Sequence, residues 1–236
     1  MQEAPLFDVL TPAPTLAGRD IGDIYDRGCV NDPRDTRVRR CLAGDPDGRV
    51  VVPAVGDSKV AQWVPALQTI AEDHGWRLEI YLKSGCPLTS AVTLDAAGEP
   101  YEGCTDWGQA VLARLACAPP DAGGDLGGRL VALDAAGDYT VAGLTAGFTD
   151  VWRRLAGAGV HVVAISDTPG AQALRTPECV AAHTEDPNSA CAWVSSGGEG
   201  SPALRAAAAE VAGATYGDMN PWVCPEGGAT VRRDHS

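Results

Sequence analysis

The stretch Arg49-Val50-Val51-Val52-Pro53-Ala54-Val55-Gly56-Asp57-Ser58 decides how this chain folds. A short apolar run of this kind fits a strand buried in a parallel sheet. It stops at Gly56-Asp57-Ser58 and turns straight into Lys59–His74, where Val60, Trp63, Val64, Leu67, Ile70 and Ala71 fall on one helical face. A strand that feeds a helix in this way sets the Ser58 hydroxyl at the carboxyl end of the sheet, where α/β folds bind ligands. Backbone N–H groups at the helix start face the same point and can hold a developing oxyanion. Gly56 lets the backbone pass close to a substrate. The same letters also suit a plain helix cap, with Asp57 or Ser58 satisfying orphan amides. Two prolines bend the pattern. Pro53 removes a ladder donor, so the strand is short or pairs on one side there. Pro65 is expected to kink the helix.

Outward from this turn the pattern repeats. Gly75 is a helix stop, and Arg77–Lys83 alternates Leu78, Ile80 and Leu82 as a strand. Thr105 is placed to cap a helix carrying Trp107, Val111, Leu112 and Leu115. Arg129–Leu133 reads as a short strand, Val141–Leu155 as a strongly periodic helix and Val160–Ser166 as a strand. Ser201 and Pro202 open an Ala-rich helix to about Ala212. Apolar strands separated by helices predict an α/β fold with a mainly parallel sheet covered on both faces. Residues 1–48, with prolines at 5, 12, 14 and 33, read as a loop-rich lead-in packed on a domain formed by residues 49–236.

Composition narrows the function. The 236 residues suffice for one large α/β domain. With 18 Lys and Arg against 31 Asp and Glu, and a net charge of −13, nucleic acid is not the expected partner. An anionic membrane surface is disfavoured for the same reason. No stretch approaches the roughly 18 apolar residues that a transmembrane helix requires. Met1–Gly28 shows no signal peptide, so an oxidising destination implies a carrier outside this chain, which is then a piece of a longer protein.

The eight cysteines form three pairs close in sequence: Cys29 with Cys41, Cys86 with Cys104, and Cys179 with Cys191. Each pair brackets a loop rich in Pro, Asp, Gly or Thr. None has the spacing of a zinc site or redox dithiol, so no metal is expected. Closing such loops contributes roughly 3 kcal/mol each. Cys117 and Cys224 are left to pair by elimination. Free thiols in a reducing compartment are the alternative, but Cys-rich loops fit an oxidising one better. His74, His161 and His183 read as structural or solvated. Trp63, Trp107 and Trp152 sit on apolar helix faces as core, while Trp193 and Trp222 fall in loops where an aromatic can line a sugar site.

The segment GDSKVAQWVPALQTIAEDHGWRLEIYLKSGCPLTSA resembles the SGNH-type domain fused to the C-terminus of membrane acyltransferase-3 proteins, which O-acylate cell-surface sugars and related acceptors. YEGCTDW at 101–107, WRRLAGAGVHVVAISDTPG at 152–170, PECVAAH and DMNPWVC at 218–224 extend the resemblance over nearly the whole chain from about Asp20. The cysteine pairs match in position as well. The resemblance implies a three-layer α/β/α, flavodoxin-like fold and a Ser-His-Asp triad without a cofactor. In such a triad the His takes the Ser proton and the Asp orients the His. Ser58 maps to the nucleophile, and Gly56, Asp57 and Lys59 to the oxyanion and substrate-binding turn. It further implies an extracytoplasmic enzyme, an acyl donor supplied by a membrane acyltransferase domain, and a glycan acceptor.

The chain departs from the family pattern at three places. Lys59 stands where the family has His, and adjacent helix residues do not face each other as a Ser-Lys dyad needs. The terminal Arg233-Asp234-His235-Ser236 aligns Asp234 with the triad Asp and sets the triad His one residue past Ser236, with His235 as the nearest substitute. After Cys224 the sequence EGGAT lacks the family's second Cys. A Gly-x-Asn-Asp segment, used for oxyanion stabilisation in other SGNH hydrolases, is missing too. A degenerate, glycan-binding domain and a free-standing carbohydrate esterase are the alternative functions.

Overall fold

The computed structural model describes residues 11–117, 122–126, 132–133, 137–169, 175–193 and 198–223. The elements in chain order are α1 (Pro14–Ala17), β1 (Val30–Asn31), β2 (Cys41–Gly44), β3 (Val51–Gly56), α2 (Ser58–Ala61), α3 (Val64–His74), β4 (Arg77–Lys83), α4 (Glu102–Cys117), β5 (Ala122–Leu126), β6 (Ala132–Leu133), β7 (Tyr139–Thr140), α5 (Val141–Gly157), β8 (His161–Ile165), α6 (Thr176–Ala182), α7 (Pro187–Cys191), α8 (Ser201–Glu210), β9 (Ala214–Gly217) and α9 (Asn220–Val223). The chain divides into two compact units. The larger holds Gly22–Asp167 and Glu199–Asp218, and the smaller holds Met1–Ile21, Thr168–Gly198 and Met219–Ser236.

The larger unit is built on a mixed sheet in the order β1-β4-β3-β5-β8-β9, with β2 also on β4. The pairs β1–β4, β3–β4, β3–β5, β5–β8 and β8–β9 are parallel. The β2–β4 pair is antiparallel. β3 sits inside the sheet because its neighbours offer apolar partners on both faces. Ala54 joins Leu78, Ile80 and Leu82 of β4 with Val60 and Ala61 of α2 and Val64 and Ala71 of α3. Val55 joins the opposite cluster with Tyr81, Trp107 and Leu112 of α4, Phe148 and Trp152 of α5, Val162 and Ala164 of β8, and Leu204 of α8. Helices thus pack on both faces of the sheet. Trp107, Phe148 and Trp152 are wholly buried, and the last two rings stack at 5.4 Å.

The two prolines act as their chemistry requires. Pro53 pairs with Glu79 on β4, while the β5 ladder begins one residue later at Ala54. Pro65 has no N–H to give the preceding turn. The expected single helix is therefore split into α2 and α3, with Trp63 as the cap of α3. Gly75 ends α3 in the left-handed conformation, φ 64°.

Four expectations are corrected. The strand next to β3 is β5, five residues with Gly123 and Gly124 in it. Arg129–Leu133 falls partly outside the described residues, and Ala132–Leu133 forms a two-stranded ribbon with β7 instead. Glycines show no side-chain periodicity, so β5 was hidden from a pattern reading. Next, α4 starts at Glu102, three residues before the expected cap Thr105. In β8, His161 and Val163 are exposed and only alternate residues are buried; the His161 ring lies 3.0 Å from the Thr215 hydroxyl on β9. Finally, β9 pairs with β8 where no strand was expected.

Residues 22–48 contribute β1 and β2, and one buried cation organises them. Lys83, at the end of β4, is wholly buried. Its ammonium donates to the carbonyls of Asp32 at 3.0 Å, Pro33 at 2.9 Å and Asp35 at 2.8 Å. The disulfide Cys29–Cys41 closes the same loop covalently. A second disulfide, Cys86–Cys104, ties the loop after β4 to α4.

In the smaller unit, α1 packs on α6. Cys179–Cys191 joins α6 to α7, and the Trp193 indole N–H donates to the Thr176 hydroxyl at 3.1 Å. Trp222 on α9 is 67 % exposed. Cys117, at the end of α4, is an exposed free thiol rather than a disulfide partner; Cys224 lies outside the described residues. No helix among the described residues is long and apolar enough to cross a membrane.

Candidate functional site

The site is the turn between β3 and α2. Parallel strands deliver their carboxyl ends to one edge, and β3 ends at Gly56 with φ 144°. That backbone region strains any side chain, so glycine is needed for the chain to turn there. Asp57 follows in extended conformation as the N-cap, and its carboxylate accepts from the Lys59 N–H at 2.8 Å. Its side chain is buried and used in structure, which answers the plain-cap reading for Asp57.

Ser58 is the first residue of α2 and is exposed. The Asp57 carbonyl accepts from the N–H groups of Val60 at 3.0 Å and Ala61 at 3.1 Å. With the Lys59 amide also committed, the Ser58 N–H is the amide of this turn that has no hydrogen-bond partner among the described residues. A hydroxyl facing solvent beside a spare amide is the arrangement that nucleophilic attack with oxyanion stabilisation uses.

Two further residues that sequence reasoning did not single out bear on this turn, the first by geometry and the second by its electrostatics. Asp167 lies two residues past the end of β8 and is 2 % exposed. One of its oxygens meets the Lys59 ammonium at 3.2 Å. The other accepts from the Gly200 N–H at 3.1 Å. Ser201 donates its hydroxyl to the Asp167 carbonyl at 3.3 Å. An aspartate directly after an apolar strand was the available signal, because a parallel strand's carboxyl end is where ligand-facing residues gather. The second is Tyr25, in the loop before β1. Its phenol is held above its ordinary pKa, chiefly by burial and then by the Asp57 carboxylate. Nothing in the local sequence marks it.

Of the residues singled out from sequence, Gly56, Asp57, Ser58 and Lys59 share this turn. Asp234 and His235 lie outside the described residues. His74 stacks on Trp76 at 4.8 Å at the end of α3, and His183 is exposed at the C-cap of α6. Trp193 and Trp222 belong to the smaller unit.

Residues 28–234 match the family of the SGNH domain (fused to AT3 domains). No curated protein matches the chain by sequence. Among solved structures, the periplasmic domain of the lipopolysaccharide acetyltransferase of Salmonella ser. Paratyphi A is similar in fold, with a TM-score of 0.57 at 12 % identity. That likeness covers 80 % of this chain and 74 % of the other. Because the family match runs through both sides of the Ser58 turn and most of the rest of the sequence, the chain belongs to the SGNH domain family, the group described as fused to AT3 domains.

Proposed function

We propose that this domain transfers an acyl group, acetyl in the simplest case, to a hydroxyl of a cell-surface glycan, outside the cytoplasm, with Ser58 as the nucleophile. The observation that carries the reading is the exposed Ser58 at the carboxyl end of β3, its own amide without a hydrogen-bond partner among the described residues. Ser58 Oγ attacks the acyl carbonyl and gives its proton to a base. The Ser58 N–H stabilises the oxyanion. The carbonyl re-forms as the donor's leaving group departs with that proton, leaving an acyl-serine. The acceptor hydroxyl then attacks, loses its proton to the base and frees Ser58. We assign the base to the carboxyl-terminal segment, where Asp234 and His235 stand. Lys59 is a poor base, since its ammonium is paired with Asp167.

Three disulfides support an oxidising, extracytoplasmic location. The family's description as fused to AT3 domains supports a membrane acyltransferase as the source of the acyl group. The similar acetyltransferase periplasmic domain supports acetyl as the group and a glycan as the acceptor. The test is a serine-directed fluorophosphonate probe read by mass spectrometry. Labelling is expected at Ser58 and is lost in Ser58→Ala. An unmodified Ser58 in a protein that binds acceptor glycan would overturn catalysis in favour of a binding module.

A further inference from the structure

The helix that carries Ser58 has little stability of its own. α2 is a single turn, Ser58–Ala61, and is broken from α3 at Trp63. One turn of helix does not hold itself in water. Something outside it must fix where Ser58 points.

We infer that Asp167 is the positioning residue of this site: its buried carboxylate clamps Lys59, the neighbour of Ser58, to the start of α8 across the carboxyl end of β5. The inference rests on the acyl-transfer reading for its chemistry, and on geometry for the rest. β3 and β8 both pair with β5, on opposite sides. Two strand spacings separate them, roughly 10 Å. Only a long side chain crosses that gap, and Lys59 does so, meeting Asp167 at 3.2 Å. Asp167 is fixed in turn by the Gly200 amide at 3.1 Å. The far anchor is rigid, because α8 buries Ala203, Leu204 and Ala207 in the core.

The pair is asymmetric in exposure: the Asp167 side chain is 3 % exposed and that of Lys59 27 %. A buried carboxylate holds its ion pair well, because losing the cation strands a charge out of water. Lys59 is also one of only two lysines in the chain, the other being Lys83. It stands where the family pattern implies a histidine, whose ring reaches less far. In this chain, the residue after the nucleophile is thus a strut rather than a proton carrier.

The experiment compares wild type with Asp167→Asn, Lys59→Met, the double variant and Lys59→Arg. Two readouts are used: the rate of fluorophosphonate labelling at Ser58, and hydrogen exchange of the Val60 and Ala61 amides. Circular dichroism checks that each variant is folded. Asp167→Asn and Lys59→Met are each expected to slow labelling about tenfold and to speed exchange at 60–61 about tenfold, with α3 unchanged. The double variant is expected to be no worse than either single one, as for two halves of one contact. Lys59→Arg, which keeps the pair, recovers most of what Lys59→Met loses. Unchanged exchange at 60–61 in both single variants would overturn the clamp. Faster exchange with unaltered labelling would overturn its positioning role. If wild type itself fails to label at Ser58, the acyl-transfer reading falls instead, and the exchange data still decide the clamp.

Discussion

Lys83→Met isolates the contribution of one buried ammonium. The change keeps most of the stem and removes the charge. In the wild type the ammonium satisfies three carbonyls, those of Asp32, Pro33 and Asp35. Hydrogen bonds to a charged group contribute about 1.5–3 kcal/mol each, or roughly 5–9 kcal/mol in total. Against this stands the cost of keeping the charge from water, several kcal/mol, which also lowers the Lys83 pKa, with Asp35 and Asp32 opposing the shift. Removing the ammonium relieves that cost but takes a charged donor from all three carbonyls in a loop that the Cys29–Cys41 bond holds in place; Asp32 keeps the Asp35 N–H at 3.0 Å and Pro33 the Tyr101 hydroxyl at 3.2 Å. The bonds win, and the expected net loss is about 2–4 kcal/mol. The assay is urea unfolding under non-reducing conditions. With a slope near 2 kcal/mol per M, the midpoint falls by about 1–2 M. A midpoint that is unchanged or higher would refute the reasoning, because desolvation would then outweigh three satisfied acceptors.

Gly147→Ala is expected to destabilise the fold by about 1–3 kcal/mol in thermal melts, although alanine favours helix. A Cβ there would meet the Thr89 hydroxyl and come within 2.7 Å of the Ala91 backbone nitrogen, and backbone cannot step aside cheaply. Replacing Cys86 and Cys104 together by serine is expected to cost about 3 kcal/mol in denaturant unfolding, and more if the buried hydroxyls find no partner. Alkaline stability follows Tyr81, which donates to Glu79 at 2.6 Å. Burial first, then that bond and the Glu79 charge, push its pKa up to about 12 from 10.0. The unfolded chain therefore loses this proton first, so stability falls as pH rises from about 10 to 12. Absorbance at 295 nm should show Tyr81 titrating only with unfolding, and Tyr81→Phe should flatten that slope.

Sequence was most informative where one face of an element is buried. β4 matches its expected span, and α5 begins at the expected Val141, because their apolar residues keep a strict period. The Ser58 turn was legible for the same reason: an apolar strand, a glycine and a capping aspartate in direct succession leave few alternatives. The site's other half was not. Asp167 acquires meaning only when β5 is known to separate β3 from β8, and β5 itself has glycines where a strand reading looks for side chains. Tyr25, whose phenol feels the Asp57 charge, lies in a loop without periodicity. Long-range pairing of this sort is set by topology, which local patterns do not encode.

The two outer borders of the sheet also limit self-association. On one border, β1 and β2 run in opposite directions along the same strand, covering Arg77–Ile80 and Leu82–Lys83 between them. The strands left facing outward are two and four residues long there, and four at β9. Ladders this short give an incoming chain too few backbone groups to grip. At high concentration the folded domain would therefore resist joining its copies border to border.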